Sequence, residues 1–103
     1  MTFFKTEIEI PDAVDVKSTE DSLEVELSDG RTITAPLAWY PRLLNATSQE
    51  RDNWRFIAKG QGIHWDDLGE DISVENLLCG RHSGESQASL KLWLEQRNQK
   101  NKN

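Results

Sequence analysis

The sequence predicts an α+β fold: a small single domain with an antiparallel sheet of about four short strands, two short helices packed on it, and a C-terminal amphipathic helix. Three observations carry that prediction. The chain has 103 residues, 36% apolar and 29% charged, which supplies one modest core and not two. The runs Leu23-Glu24-Val25-Glu26-Leu27 and Arg31-Thr32-Ile33-Thr34-Ala35 alternate strictly on either side of a Ser28-Asp29-Gly30 turn, as the arms of a hairpin do. Near the C terminus, Leu90, Trp93, Leu94 and Arg97 recur at the spacing of one helical face.

Phe3 to Ile10 alternates partially and is broken by Pro11-Asp12; Ala13 to Lys17 resumes the pattern, with Val14 and Val16 in phase. This reads as one strand or two short pieces. After a polar turn at 18–22 comes the hairpin, whose register follows from its pattern. A two-residue loop would oppose Val25 to Thr34 and put the apolar phases on opposite faces. A three-residue loop with Gly30 left-handed opposes Val25 to Ile33 and Leu23 to Ala35, so the apolar phases share a face. Pro36 cannot donate to a ladder and ends the strand.

Ala38 to Ala46 reads as a short helix with Pro41 in its first turn and Trp39, Leu43 and Leu44 towards the core. Thr47 or Ser48 caps a second helix, with Thr47 and Glu50 at capping-box spacing, running to Phe56 or Ile57. Gly60-Gln61-Gly62 turns the chain into a short β-like Ile63-His64-Trp65, and 66–69 is a loop. Ile72 and Val74 form an extended piece or lead into a helical turn that Gly80 terminates. The last helix runs from Ser86 to about Arg97. The expected core is Val16, Leu23, Val25, Leu27, Ile33, Leu37, Leu43, Leu44, Trp54, Ile57, Ile63, Ile72, Val74, Leu77 and Leu78. Residues 1–80 are expected to form the compact domain, and 81–103 a helix with a frayed basic tail.

Charge divides along the same line. Residues 1–80 carry 16 acidic and 7 basic side chains, a net −9, whereas residues 81–103 carry 2 and 5, a net +3. An acidic body repels a phosphate backbone, which disfavours direct nucleic-acid binding. No stretch approaches the ~20 apolar residues of a membrane span, and the first residues lack the apolar run of a secretory leader. A single cysteine excludes an internal disulfide framework. The expectation is a cytoplasmic protein.

Chemistry has few footholds. Asp66, Asp67, Glu70 and Asp71 crowd four carboxylates together, but not at calcium-loop spacing. Cys79 and His82 do not fill a zinc site or complete a nucleophilic constellation. Gly60-Gln61-Gly62 lacks the lysine and spacing of a phosphate loop. Neither a catalytic residue, a metal nor a cofactor is expected. The candidate interaction residues are Trp39, Tyr40, Arg42, His64, Trp65, Leu90, Trp93 and Leu94. They serve three alternatives: a non-catalytic module that binds another small protein, a basic one being best suited to the acidic body; a small enzyme or ligand-binding domain around His64, Trp65, Asp66 and Asp67, near Trp39, Tyr40 and Arg42; or a chain that self-associates through the Leu90–Trp93–Leu94 ridge.

The middle of the chain adds a resemblance. Leu27-Ser28-Asp29-Gly30-Arg31-Thr32-Ile33 is followed by Pro36-Leu37-Ala38-Trp39-Tyr40-Pro41-Arg42-Leu43-Leu44-Asn45-Ala46. Then come Arg51-Asp52-Asn53-Trp54, Gly60-Gln61-Gly62-Ile63-His64-Trp65, the stretch from Asp67 to Val74, and Leu77-Leu78-Cys79-Gly80. Over about residues 14–80 this order resembles the small bacterial domain-of-unknown-function family numbered twenty-four forty-two. The resemblance implies an α+β domain without an established activity, in some members the antitoxin-like partner of a second small protein. The tail from 81 onwards lies outside it.

Overall fold

The computed structural model describes residues 9–100. Within it the chain forms strands β1 (Ala13–Ser18), β2 (Ser22–Leu27) and β3 (Thr32–Pro36), helices α1 (Pro41–Leu44) and α2 (Ser48–Asp52), strands β4 (Arg55–Ile57), β5 (Gly62–Trp65) and β6 (Glu70–Ser73), then helices α3 (Val74–Cys79) and α4 (Gln87–Lys100). A 3₁₀ turn at Leu37–Trp39 and a left-handed turn at Ala58–Gly60 punctuate the order. The strands make two antiparallel sheets in sequence order, β1-β2-β3 and β4-β5-β6. The fold is thus α+β with six strands in two sheets, where about four in one were expected.

The hairpin has the register that its pattern dictates. Val25 faces Ile33 and Leu23 faces Ala35. The Leu27 amide donates to the Arg31 carbonyl at 2.8 Å, and Gly30 closes the turn at φ +92°. Leu23, Val25, Leu27 and Ala35 are all buried. In β1 the expected phase fails: Val14 is 53% exposed while Ala13 and Val16 are buried. The pairing of β1 with β2 slips between Ala13 and Asp15, and this bulge inserts one residue and turns Val14 outward. Of the expected strand over Phe3–Ile10, residues 3–8 lie outside the described residues, and Glu9 to Asp12 has no regular structure.

The second helix is shorter than expected. Thr47 and Glu50 form the full capping box, the Glu50 amide donating to Thr47 Oγ1 at 3.1 Å and the Thr47 amide to Glu50 Oε1 at 2.9 Å. The helix stops at Asp52, and Arg55 to Ile57 pairs with β5 as a strand. Aromatic and β-branched side chains at 54–57 suit a pleated surface better than a helix. Two expected core residues face solvent, Leu44 at 45% and Leu78 at 36% exposure. Both sit in helices of barely one turn or little more, where only one or two positions can point inward: Leu43 in α1, Val74 and Leu77 in α3. Ile33 and Trp54 are half-buried against the core, and Ile57 is half-buried.

The buried residues of both sheets form one cluster, which also takes in Tyr40, Trp65 and Leu68. Trp65 has no exposed surface, and its indole N–H donates to the Arg51 carbonyl at 3.0 Å. The Arg51 guanidinium in turn donates to the Leu43 and Ala46 carbonyls, tying α2 to α1. Ala58, Lys59 and Gly60 are consecutively left-handed at φ 52°, 56° and 89°. At Gly60 a Cβ would stand 3.0 Å from Asp12 Cβ and 3.3 Å from the Ala13 carbonyl, so this turn admits only glycine where the second sheet meets β1.

Helix α4 lies on the body of its own chain. Leu90, Trp93, Leu94 and Arg97 are half-buried and none is fully buried, while Leu92 is 57% exposed on another side. The expected amphipathic character is nearly absent, because polar side chains surround the few apolar ones, and the contact is a narrow line ended by an arginine.

Candidate interaction site

Arg42 is the centre of the contact between body and tail. Its Nε donates to both Glu85 oxygens at 3.0 and 2.9 Å, and Nη2 donates to Oε2 at 2.7 Å. Its Nη1 donates to the Leu68 carbonyl at 2.8 Å. This forked geometry is the strong form of an ion pair, and Glu85 is only 9% exposed. Ser89 Oγ donates to the same carboxylate at 2.9 Å. The Arg42 guanidinium holds the Glu85 carboxyl below its ordinary value, and Glu85 raises Arg42 in return.

Twelve residues further along the chain, Arg97 makes the second anchor, donating to both oxygens of Glu50 at 2.9 and 2.8 Å. The bond from Arg97 lowers the Glu50 carboxyl to about 2, with the Thr47 amide adding to the effect. Glu50 therefore caps α2 and receives α4 at once. Between the anchors is Trp93, with the Arg42 and Arg97 guanidinium carbons 5.1 and 4.6 Å from its ring centroid, within cation–π range. The linker to α4 is pinned too: the Ser83 amide donates to the Trp39 carbonyl at 2.9 Å, and His82 stacks on Trp39 with ring centroids 4.1 Å apart.

Glu70 lies near enough to Arg42 for their charges to interact. Burial is the main cause that raises its carboxyl to about 7, with Glu85 and Asp71 adding repulsion and Arg42 opposing it. Arg42 is already committed to Glu85, which explains why its opposition does not win. Burial, with help from Glu70, also raises the Tyr40 hydroxyl.

The remaining candidates divide by face. His64 and Trp65 are neighbours in β5 and point oppositely, as strand residues must. Trp65 is in the core, and so is Tyr40, whose hydroxyl reaches the Arg81 carbonyl at 3.4 Å. His64 is on the outer surface between two aspartates, its Nδ1 against Asp71 and its Nε2 2.9 Å from Asp66. Asp66 also pairs with Arg55, the first cause of its lowered carboxyl, and Asp67 accepts from Asn53 at 2.9 Å. The acidic loop is thus a set of local pairs, and among the described residues no group of three or more His, Cys, Asp or Glu is placed to hold a metal ion. Cys79 is exposed, and His82 is occupied on Trp39.

Arg42 meets Trp93 of α4, Leu90 and Leu94 are half-buried on the same helix, and Trp39 stands at the linker. His64, Trp65 and Tyr40 do not join them as a cleft. An open groove of about 710 Å³ runs between α2 and α4, lined by Thr47, Glu50, Asp67, Trp93, Gln96, Arg97 and Gln99. Of the eight candidates only Trp93 borders it. Sequence reasoning missed Glu50, Glu70 and Glu85 as site residues. Glu50 carried a signal as a cap; Arg42 and Glu85 are separated by 43 positions, and no local pattern joins them.

The profile of a family described as "Protein of unknown function (DUF2442)" matches residues 13–83. No curated protein matches the chain. A crystal structure of a protein of unknown function from Rhodospirillum rubrum is similar, with TM-score 0.62 and 23% identity, covering 78% of this chain and 96% of that one. So is the solution NMR structure of an uncharacterized protein from Chromobacterium violaceum, with TM-score 0.60 and 23% identity over 71% of this chain and 69% of that one. At that identity the likeness shows the fold. Among the described residues no helix is long and apolar enough to cross a membrane.

Proposed function

The chain belongs to the DUF2442 family of proteins of unknown function, and from that premise we propose that it is a non-catalytic protein-interaction module of the bacterial cytoplasm. The observation that carries this reading is that its polar candidates are spent on internal partners. Arg42 is bound to Glu85 and the Leu68 carbonyl, His64 to Asp66 and Asp71, and the Trp65 indole to the Arg51 carbonyl. Acid–base or nucleophilic catalysis requires groups free to meet a substrate in a shared cleft. Residues 1–80 carry a net charge of −9, which suits a basic protein partner because complementary charge speeds encounter.

In its finer form the proposal makes this chain the antitoxin-like member of a two-protein pair. The experiment is co-expression of the tagged full chain with the product of the neighbouring reading frame. The expected outcome is a stable complex on co-purification, and relief of growth arrest where that product alone is toxic. Separate elution of the two, with undiminished toxicity, refutes the pairing.

A further inference from the structure

Helix α4 begins at Gln87, beyond the family match that ends at residue 83, yet it lies across the best-built polar face of the body. Its attachments are discrete: Glu85 on Arg42, Trp93 under two guanidinium groups, and Arg97 on Glu50. None of its side chains through Gln99 is fully buried. A helix that buries no side chain fully and is held by two forked ion pairs and one aromatic ring has little apolar burial behind it, which draws it from the low-stability end of the fold. The receptor side is the opposite. Glu50 is fixed by its reciprocal bonds with Thr47, and Arg42 by the Leu68 carbonyl. The groove alongside adds the exposed carboxylate of Asp67.

We propose that this face of the body, centred on Glu50 and Arg42, is the partner-docking surface, and that α4 occupies it as a built-in competitor displaced by a basic, tryptophan-bearing helix of a second protein. The inference rests on the interaction reading above and names its surface. The occupant's chemistry is taken from what the face already holds and from charge: a net −9 body receives a guanidinium at Glu50, and Asp67 adjoins the groove as a further carboxylate. Within one chain the competitor acts at the effective concentration of a short linker, in the millimolar range. A partner must therefore exceed α4 in contacts, not merely copy it.

The test uses the full chain and a defined probe, a labelled synthetic peptide carrying this chain's own residues 85–100. The double variant Trp93→Ala/Arg97→Glu removes the ring and sets like charge against Glu50, freeing the Glu50 half of the receptor face without altering it, while Glu85 stays on Arg42. Fluorescence anisotropy is expected to show the peptide bound at least tenfold more tightly by this variant than by the wild type. Adding Glu50→Gln, which keeps the capping geometry and removes the charge, is expected to abolish that gain. Should the double variant melt below the working temperature, Arg97→Glu alone serves, with a smaller gain of the same sign. Equal binding by wild type and released variant overturns the proposal, as does a gain that survives Glu50→Gln. Concentration-dependent dimerisation of the wild type by light scattering would assign the face to a second copy and overturn it also. The assay contains no partner from the neighbouring gene, so its failure and the failure of co-purification are separately readable.

Discussion

Replacing Glu70 by glutamine is expected to remove a loss of stability that the wild type undergoes between about pH 5 and pH 8. Glu70 is half-buried, and burial raises its carboxyl from 4.5 to about 7. The folded chain therefore holds the proton more tightly than the unfolded chain does. The stability that this proton confers is complete below pH 4.5 and is lost as the pH rises through 7, after which the curve is flat. The full interval between the two values corresponds to roughly 3 kcal/mol at 1.36 kcal/mol per tenfold change. Glu70 retains contact with water, so screening reduces this to about 1–2 kcal/mol. For a domain of this size that is roughly 5–15 °C in melting temperature. Calorimetry or urea titration of both proteins across the interval provides the measurement. Groups whose values the fold lowers, such as Glu50 and Glu85, change stability only at more acid pH, and subtracting the two curves cancels what the proteins share. Wild type and Glu70→Gln should coincide near pH 4.5 and separate above it, glutamine being the more stable. Parallel curves across the whole range would show that the carboxyl is solvated and would refute the reasoning.

Other substitutions test other parts of the fold. Arg97→Ala removes two hydrogen bonds and one ring contact from a pair about one-fifth exposed, and should cost about 1 kcal/mol in urea titration. In a double-mutant cycle with Glu50→Gln the two changes should be non-additive by about 0.5 kcal/mol or more. The same pair should weaken as pH falls from 4.5 towards 2, because the lowered Glu50 carboxyl confers stability only while ionised. Gly30→Ala meets no atom within 4 Å, so its expected cost of about 1–2 kcal/mol is purely that of holding a Cβ at positive φ. Trp65→Phe leaves a gap in the core and the Arg51 carbonyl without its indole donor, and should lower stability by about 2–4 kcal/mol while quenching part of the native tryptophan fluorescence.

How far the sequence could be read depended on whether structure was set by neighbours in the chain. The β2–β3 register was legible because two alternating arms and one glycine leave a single loop length consistent with a shared apolar face. The capping box at Thr47 and Glu50 was legible for the same reason. The bulge at Val14 was not: it is a property of how β1 meets β2, and alternation in one strand carries no trace of the slip. Leu44 and Leu78 were misplaced because a helical stripe needs several turns to define a face, and α1 and α3 are too short. The strand Arg55–Ile57 was hidden by the capping box before it, which starts a helix and says nothing about where that helix stops.

The candidate site was legible as a composition and not as an arrangement. The stripe Leu90, Trp93, Leu94 and Arg97 identified the side of α4 that meets the body, but its receptor is assembled from Arg42 and Glu50, on two different helices. Each receptor residue has a sufficient local explanation: an arginine after a helix-starting proline, a glutamate completing a cap. Their second roles exist only once the tail has folded back across them. That dual use also limits what mutation at the receptor can reveal. Removing the Glu50 side chain would damage α2 and α4 together, whereas glutamine separates the two, because an amide oxygen still accepts from the Thr47 amide and carries no charge for Arg97. The isosteric change, and not truncation, is therefore the one that distinguishes a docking surface from a helix cap.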